Sequence, residues 1–452
     1  MNRLLSMMLL LAALCALPAN AQALPGKTEL VVANFSEVDE AYTAMAGAHP
    51  DIALKPLSSY VSDEQVMTDI LSRSDAVDLY CLFVNEPAYK ALYERGFLGE
   101  ADALSPAIGP MLPQVRARIE RDGHPVALPV SLSILGSLSY NPAVAAKLGL
   151  DEAALPGSWS EFLQFVSDWP RAYAENFPEV ALFDDTIDLS TRRELLFYAF
   201  YNDYSLHLDQ LGGVPSFDTP LFDRLLTAFE AVDRAAFPPS FGGEAFSEGE
   251  ALFKFGTDVG FVAAREDGNR ALGLTLEPGV GPYYGMELNV MILNPYSQKK
   301  EAAAAYLEAA ARRMDVYTRF NLVPDKAVPT RRADFEEVRR NFETAINELR
   351  ERAERAEGPD KTDLQLQLAD LERRWAVADE HMWTVNAELT ALYRAQAPRI
   401  VVMRNSTAGG LEGSGDESVH RLIQRYLDGQ LDRRAFLAQL DQKVGAMVME
   451  GY

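Results

Sequence analysis

From Leu30 onward the apolar positions follow two rhythms. Residues 30–35 are a short run rich in β-branched residues, and residues 52–57 alternate apolar with polar; both read as strands. Residues 77–84 are almost continuously apolar, the pattern of a strand covered on both faces. Helical spacing separates these runs. One helix is expected from about Glu37 to His49-Pro50. A second opens at the capping box Ser62-x-x-Gln65 and runs to about Ser74, and a third spans 87–95 and stops at Gly96. Strand and helix in strict alternation predict a mostly parallel sheet.

The rhythm continues with two strands across 126–140, broken near Gly136. A helix through Asp168 starts at the capping box Ser158-Trp159-Ser160-Glu161, and residues 180–183 form a short strand. Helices are expected over 190–208 and 220–236, the latter opened by Thr219-Pro220. Residues 259–263, 272–276 and 288–293 read as strands and 299–314 as a helix. Residues 333–397 then break the pattern. Phe335, Val338, Phe342, Ala345, Leu349 and Ala353 follow spacings of three and four. Gly358-Pro359-Asp360 turns the chain, and Leu364 through Leu392 repeat the spacing. This predicts an antiparallel helical hairpin, with mixed charge on a solvated outer face. Residues 409–415 form a Gly-rich loop, and helices over 417–427 and 433–449 close the chain.

The stretch before Leu24 is a different kind of segment. Arg3 precedes an apolar run from Leu4 to Leu17, broken by Pro18, and Ala19-Asn20-Ala21 and Ala21-Gln22-Ala23 both fit a small-x-small cleavage site. Residues 1–23 read as a secretory signal. Leu14 before Cys15 speaks against lipid attachment there. Loss of Cys15 leaves Cys81 alone of the two cysteines, in an apolar run that marks it as a core residue. A chain of 452 residues with 48% apolar content has ample core for two or more domains. Its net charge of −24 repels nucleic acid and anionic lipid and suits neutral or cationic ligands.

Catalytic motifs do not emerge. Phosphate-binding loops, nucleophile elbows and paired zinc histidines are lacking, and Gly279-Val280-Gly281-Pro282 leads into a strand, so it is a turn. The five histidines show no ligand spacing, so no metal or other cofactor is expected. Asp184-Asp185 ends a strand, where neighbours point to opposite faces and cannot straddle one bond.

Several short passages, in order, resemble the extracellular solute-binding proteins of ABC importers, the large family that includes sugar binders. They are His49-Pro50-Asp51-Ile52, Asp78-Leu79-Tyr80 and Gly96-Phe97-Leu98, then Asp122-Gly123, Leu128-Pro129 and Tyr140-Asn141-Pro142. Gly149-Leu150, Trp159-Ser160-Glu161, Phe246 with Gly249-Glu250-Ala251, and Lys299-Lys300-Glu301-Ala302-Ala303 follow. The resemblance, which covers nearly the whole mature chain except the helical hairpin, implies an α/β clamshell of two lobes joined by a double crossover; the hairpin is then an insertion. The lobes are expected over 24–134 with 288–328, and over 135–287 with 329–452, the hairpin at 333–397 lying in the second. It implies a secreted, non-enzymatic, monomeric capture subunit that delivers a carbohydrate to ABC permease subunits from the periplasm or cell surface.

Pockets in such sheets form beyond strand carboxyl ends. The strand-end residues suited to a sugar are Asn34, Phe35, Phe83, Asn85, Glu86, Asp184, Tyr283, Tyr284 and Glu287, offering ring faces, amides and carboxylates. Ser133 stands where some family members carry an acid, and no Trp follows the Phe246–Ala251 passage; both features weaken sugar against other solutes. The Tyr283-Tyr284 pair resembles that of ferric-iron binders, but no histidine is seen to accompany it. The rivals are a secreted interaction or signalling protein docking through the hairpin, and a glycan-active hydrolase.

Overall fold

The computed structural model describes residues 27–34, 49–183, 189–232, 251–259, 269–331, 334–356, 358–385, 387–404 and 417–450. The helix expected after Glu37 lies outside them. Thr28–Ala33 pairs parallel with Ile52–Pro56 on one side and with Leu79–Phe83 on the other, as the alternation of strand and helix predicts. The sheet then changes sense. Tyr284–Leu293 joins Leu79–Phe83 antiparallel, and Ala127–Tyr140 joins Tyr284–Leu293 antiparallel. Ala251–Asp258 follows antiparallel, and Ala181–Phe183 closes the path parallel. The nine-stranded sheet is therefore mixed and not mostly parallel. The cause is a pair of long strands that run through the molecule in opposite directions and belong to neither parallel layer alone.

These crossing strands join two cores. Leu30, Val32, Leu79, Tyr80, Leu128 and Met286 belong to the first; Leu138, Tyr140, Trp159, Phe162, Phe197 and Phe253 belong to the second. Ala127–Tyr140 packs in the first core as far as Ile134 and in the second from Leu138. The break expected at Gly136 is absent: one strand of 14 residues runs through it. A Cβ on Gly136 would lie 3.0 Å from Val259 Cγ2 and 3.1 Å from Thr257 Cγ2. The glycine is there for close approach, and its backbone stays extended.

Helix starts follow their sequence signals. Ser62 Oγ accepts from Gln65 N, Ser158 Oγ from Glu161 N and Thr219 Oγ1 from Phe222 N, each at 3.3 Å. Each such cap stabilises by about 1 kcal/mol. Gly96 ends the helix Pro87–Arg95 at φ 72°, a conformation that costs a glycine nothing. The helix Pro220–Ala231 stops where Val232 turns extended. Residues 272–276 are not a strand beyond a bridge from Thr275 to Ser158, while Ala251–Asp258 is one that the sequence reading missed.

The hairpin is present in its outer part. Phe335–Arg355 and Gly358–His381 lie antiparallel, with Phe335 and Phe342 packed on Trp375. The second helix stops at His381 and does not reach Leu392. Trp383–Val385 instead pairs antiparallel with Thr330–Arg331, and a third helix, Ala387–Gln396, follows. The Arg331 guanidinium lies 3.7 Å from the Trp383 ring centre and donates to the Asp379 carbonyl at 2.6 Å, fixing the arm's base. Val385, Tyr393, Ala397, Ile400 and Val402 enter the first core, although the sequence reading placed 329–452 with the second lobe. Ile400–Val402 explains this by pairing parallel with Tyr284–Met286 as a further crossing strand. Among the described residues, no helix is long and apolar enough to cross a membrane.

Candidate functional site

The three parallel strands end at one place. Thr28–Ala33 leads to Asn34, Ile52–Pro56 to the turn Leu57-Ser58-Ser59-Tyr60, and Leu79–Phe83 to Glu86. Together with Asn289 of the crossing strand these residues line a cavity of about 300 Å³. The geometry is that of a ligand pocket beyond strand carboxyl ends, where no strand continues to fill the space.

Asn34 sits at φ 57°, in the left-handed region that asparagine tolerates. Its Nδ2 donates to the Val61 carbonyl at 2.7 Å and its Oδ1 accepts from Val61 N at 2.8 Å. It holds the 57–61 turn as a wall of the cavity. Phe83 is 41% exposed and Tyr60 72%, so both present open surface at the cavity they line. Glu86 opens the helix Pro87–Arg95 and accepts from Phe83 N at 2.9 Å through Oε2. Burial, and next the Asp63 carboxylate, push its carboxyl up to about 7, against the pull of that backbone bond. The Asn289 and Asn85 Oδ1 atoms are buried and make no hydrogen bond among the described residues. Cys81 forms part of the cavity wall, and burial pushes its thiol up to about 12, so it is inert there.

The register extends this surface. Asn289 stands opposite Phe83 on one side and Ser131 on the other, and Glu287 stands opposite Ser133. Opposed residues of antiparallel strands share a face, so Phe83, Asn289, Glu287, Ser131 and Ser133 form one polar-aromatic stripe. Ser133 Oγ donates to Glu287 Oε2 at 3.4 Å.

The tyrosine pair divides. Tyr284 is 4% exposed and packs in the first core; a Cβ on Gly273 would lie 2.6 Å from its hydroxyl. Its side chain is a core residue and not a cleft wall. Tyr283 turns the other way, half-buried against the second core. His207 stacks on it at 5.7 Å between ring centres, with Nδ1 3.1 Å from the tyrosine hydroxyl. A histidine therefore does accompany Tyr283, carried by the helix Leu189–Leu211, far off in sequence. Burial lowers the His207 pKa and raises that of Tyr283, which favours the neutral form of each. Phe35 and Asp184 lie outside the described residues.

Sequence reasoning missed Tyr60, Ser59, Asn289 and Asp63. The carboxyl-end argument applied to the second strand would have found the Ser58-Ser59-Tyr60 turn. Asn289 lies two residues beyond Glu287 on the same strand face. One group with ligating side chains also assembles without sequence spacing: Glu100, Asp102 and His124, all exposed. His124 Nδ1 lies 2.8 Å from Asp102 Oδ1, an ion pair that raises the histidine pKa.

Two cores joined by crossing strands, with a cavity where the parallel strands end, define a two-lobed α/β fold. Solved structures carry the same architecture. The cyclic alpha-maltosyl-1,6-maltose binding protein of Arthrobacter globiformis is 13% identical, with a TM-score of 0.56 over 94% of this chain and 100% of that one. The sugar-binding protein MalE of Xanthomonas citri is 14% identical, with a TM-score of 0.55 over 94% and 98%. An ABC substrate-binding protein of Listeria monocytogenes, solved with cycloalternan, is 13% identical, with a TM-score of 0.52 over 93% and 99%. This chain has the fold of the sugar-binding proteins of ABC importers. No protein-family model and no curated protein matches it.

Proposed function

We propose that this protein is the exported substrate-capture subunit of an ABC importer, closing on a carbohydrate and handing it to permease subunits without catalysis. The observation that carries the reading is the cavity at the parallel strand ends. Two exposed rings, Phe83 and Tyr60, stand beside Glu86 and the unsatisfied Asn289 amide oxygen. Apolar sugar faces stack on rings while hydroxyls bond amides and carboxylates, and these groups stand ready for both. The structural neighbours, whose names describe binding of maltose-type and cyclic oligosaccharides, support the same choice.

On this reading the lobes are 24–134 with 288–328 and 135–287 with 329–452, with 385–402 lending side chains to the first core. Hinge motion of the crossing strands closes them on the ligand. Ser133 and Glu287 lie on those strands. The segment 1–23 directs export, and the mature chain starts at Gln22 or Leu24 without acyl groups, which mass spectrometry of the exported protein reads directly. A thermal-shift panel of mono-, di- and oligosaccharides tests the function. A ligand at a hundred times its Kd should add about 2.7 kcal/mol of stability. A panel with no shift, or cleavage of any panel member, would sink the proposal.

A further inference from the structure

Two carboxyl groups without a basic partner stand at the cavity, Glu86 in its wall and Asp63 next to Glu86. Glu86 spends one oxygen on Phe83 N and has its other oxygen without a bond among the described residues. Asp63, the first residue of the helix Asp63–Leu71, accepts from Ala88 N at 3.1 Å and lies close enough to raise the Glu86 carboxyl. Neither makes an ion pair with a lysine, arginine or histidine among the described residues. Lys90, one helical turn beyond Glu86, interacts with Asp209 instead. The Tyr60 hydroxyl feels both carboxylates, so the three groups are neighbours. Burial already holds the Glu86 carboxyl up at about 7, so a cation beside it is what would keep it charged once the cavity closes. Tyr60, Phe83 and Glu86 line one cavity, so ring faces and a carboxyl oxygen, the groups an ammonium uses, share one space.

We infer that the cavity takes an aminated saccharide, whose protonated amine lies between the Glu86 carboxylate and the Phe83 and Tyr60 rings. The inference rests on the carbohydrate-capture reading and names the substrate class of that same site. An amine held there forms a charge-assisted hydrogen bond to the free Glu86 oxygen, with Asp63 next to it adding field.

Two disaccharides that differ only at carbon 2 isolate the effect: the β-1,4-linked dimer of glucosamine and cellobiose. Calorimetry at pH 7.2 is expected to show the amine-bearing dimer binding about ten-fold or more tighter. Glu86→Gln should bring the two sugars to within about two-fold of each other, and Asp63→Asn should reduce the preference without abolishing it. Equal binding of the two sugars by the native chain, or a preference that survives Glu86→Gln, overturns the inference. Binding of maltotriose with neither disaccharide bound overturns it too and leaves carbohydrate capture standing. Failure of all three sugars and of the wider panel removes both.

Discussion

Trp159 donates its indole Nε1–H to Asp203 Oδ2 across 2.7 Å, with both side chains sealed from solvent. Ser137 donates to the other carboxylate oxygen at 2.5 Å. One carboxylate thus ties Ala127–Tyr140, Trp159–Trp169 and Leu189–Leu211 together just where the crossing strand enters the second core. Burial lifts the Asp203 carboxyl to about 7, and the two hydrogen bonds offset part of that rise.

A pH dependence of stability follows. The folded-state value of Asp203 lies above the unfolded value of about 3.9. Its contribution is therefore fully present below the unfolded value and is lost as pH rises through about 7. Glu86 acts in the same sense. Melting temperature should rise as pH is lowered from 8 to 5.5. Asp203→Asn keeps an acceptor for Trp159 and gains a donor for Ser137, so it should fold and show a flatter profile over that range. An unchanged profile in the variant would mean that Asp203 is not the group responsible.

Phe83 and Tyr284, two aromatics once grouped as pocket candidates, should separate by experiment. Tyr284 is a core side chain, and Tyr284→Ala should cost on the order of 3–5 kcal/mol of stability, read by denaturant unfolding. Phe83→Ala removes a ring that is 41% exposed and should leave the melting temperature within a degree or two while weakening sugar binding. Stability loss at Phe83 with intact binding would reverse the two roles.

Much of the first lobe was legible because local signals decide it. The caps Ser62 and Ser158 and the stop at Gly96 act within one helical turn, and the continuous apolar run around Leu79–Phe83 records burial on both faces. Placing Phe83 and Glu86 in the cavity followed from strand ends alone. Features set by distant partners were not legible. Gly136 reads as a break until Val259 and Thr257 are seen to crowd it. His207 meets Tyr283 only because a long helix of the second core lies against the crossing strand, and no spacing records that. The end of the arm at His381 is set by the pairing of Trp383–Val385 with Thr330–Arg331, which overrides a heptad pattern that continues past it.

Asp78 is the equivalent knot of the first core. It is fully buried, accepts from Val31 N at 2.8 Å, from Ser297 Oγ at 2.6 Å and from Lys299 Nζ at 3.0 Å. It links the first strand to the start of the helix Lys300–Arg313. Asp78→Ala strands a buried backbone N–H and a buried hydroxyl, so a loss of about 2–4 kcal/mol is expected in chemical denaturation. Lys299→Ala leaves the other two bonds and should cost about 1 kcal/mol or less, because the lysine is 36% exposed. Equal losses for the two variants would show that the ion pair, and not the buried hydrogen bonds, carries the contribution.

The arm tests where the first core ends. Its outer part contributes little burial: only Ile346 and Ala353 of Phe335–Arg355 are buried, and its ion pairs, such as Arg350 with Glu372, are exposed. Its base is different, because Val385 and Tyr393 are core residues and Trp383–Val385 completes a strand pair. Two deletions should therefore diverge. Replacing residues 340–374 by a short Gly-Ser link removes the outer arm and should leave a folded protein with its sugar affinity within about two-fold, since surface changes away from such features seldom exceed about 0.5 kcal/mol. Replacing 333–397 also removes Val385, Tyr393 and Ala397 from the first core, and that chain should be unfolded or aggregated by circular dichroism and size-exclusion chromatography. A well-folded product of the larger deletion would show that the core does not need the arm's base. A folded outer-arm deletion that binds sugar but no longer supports uptake in cells would assign the arm to the permease contact.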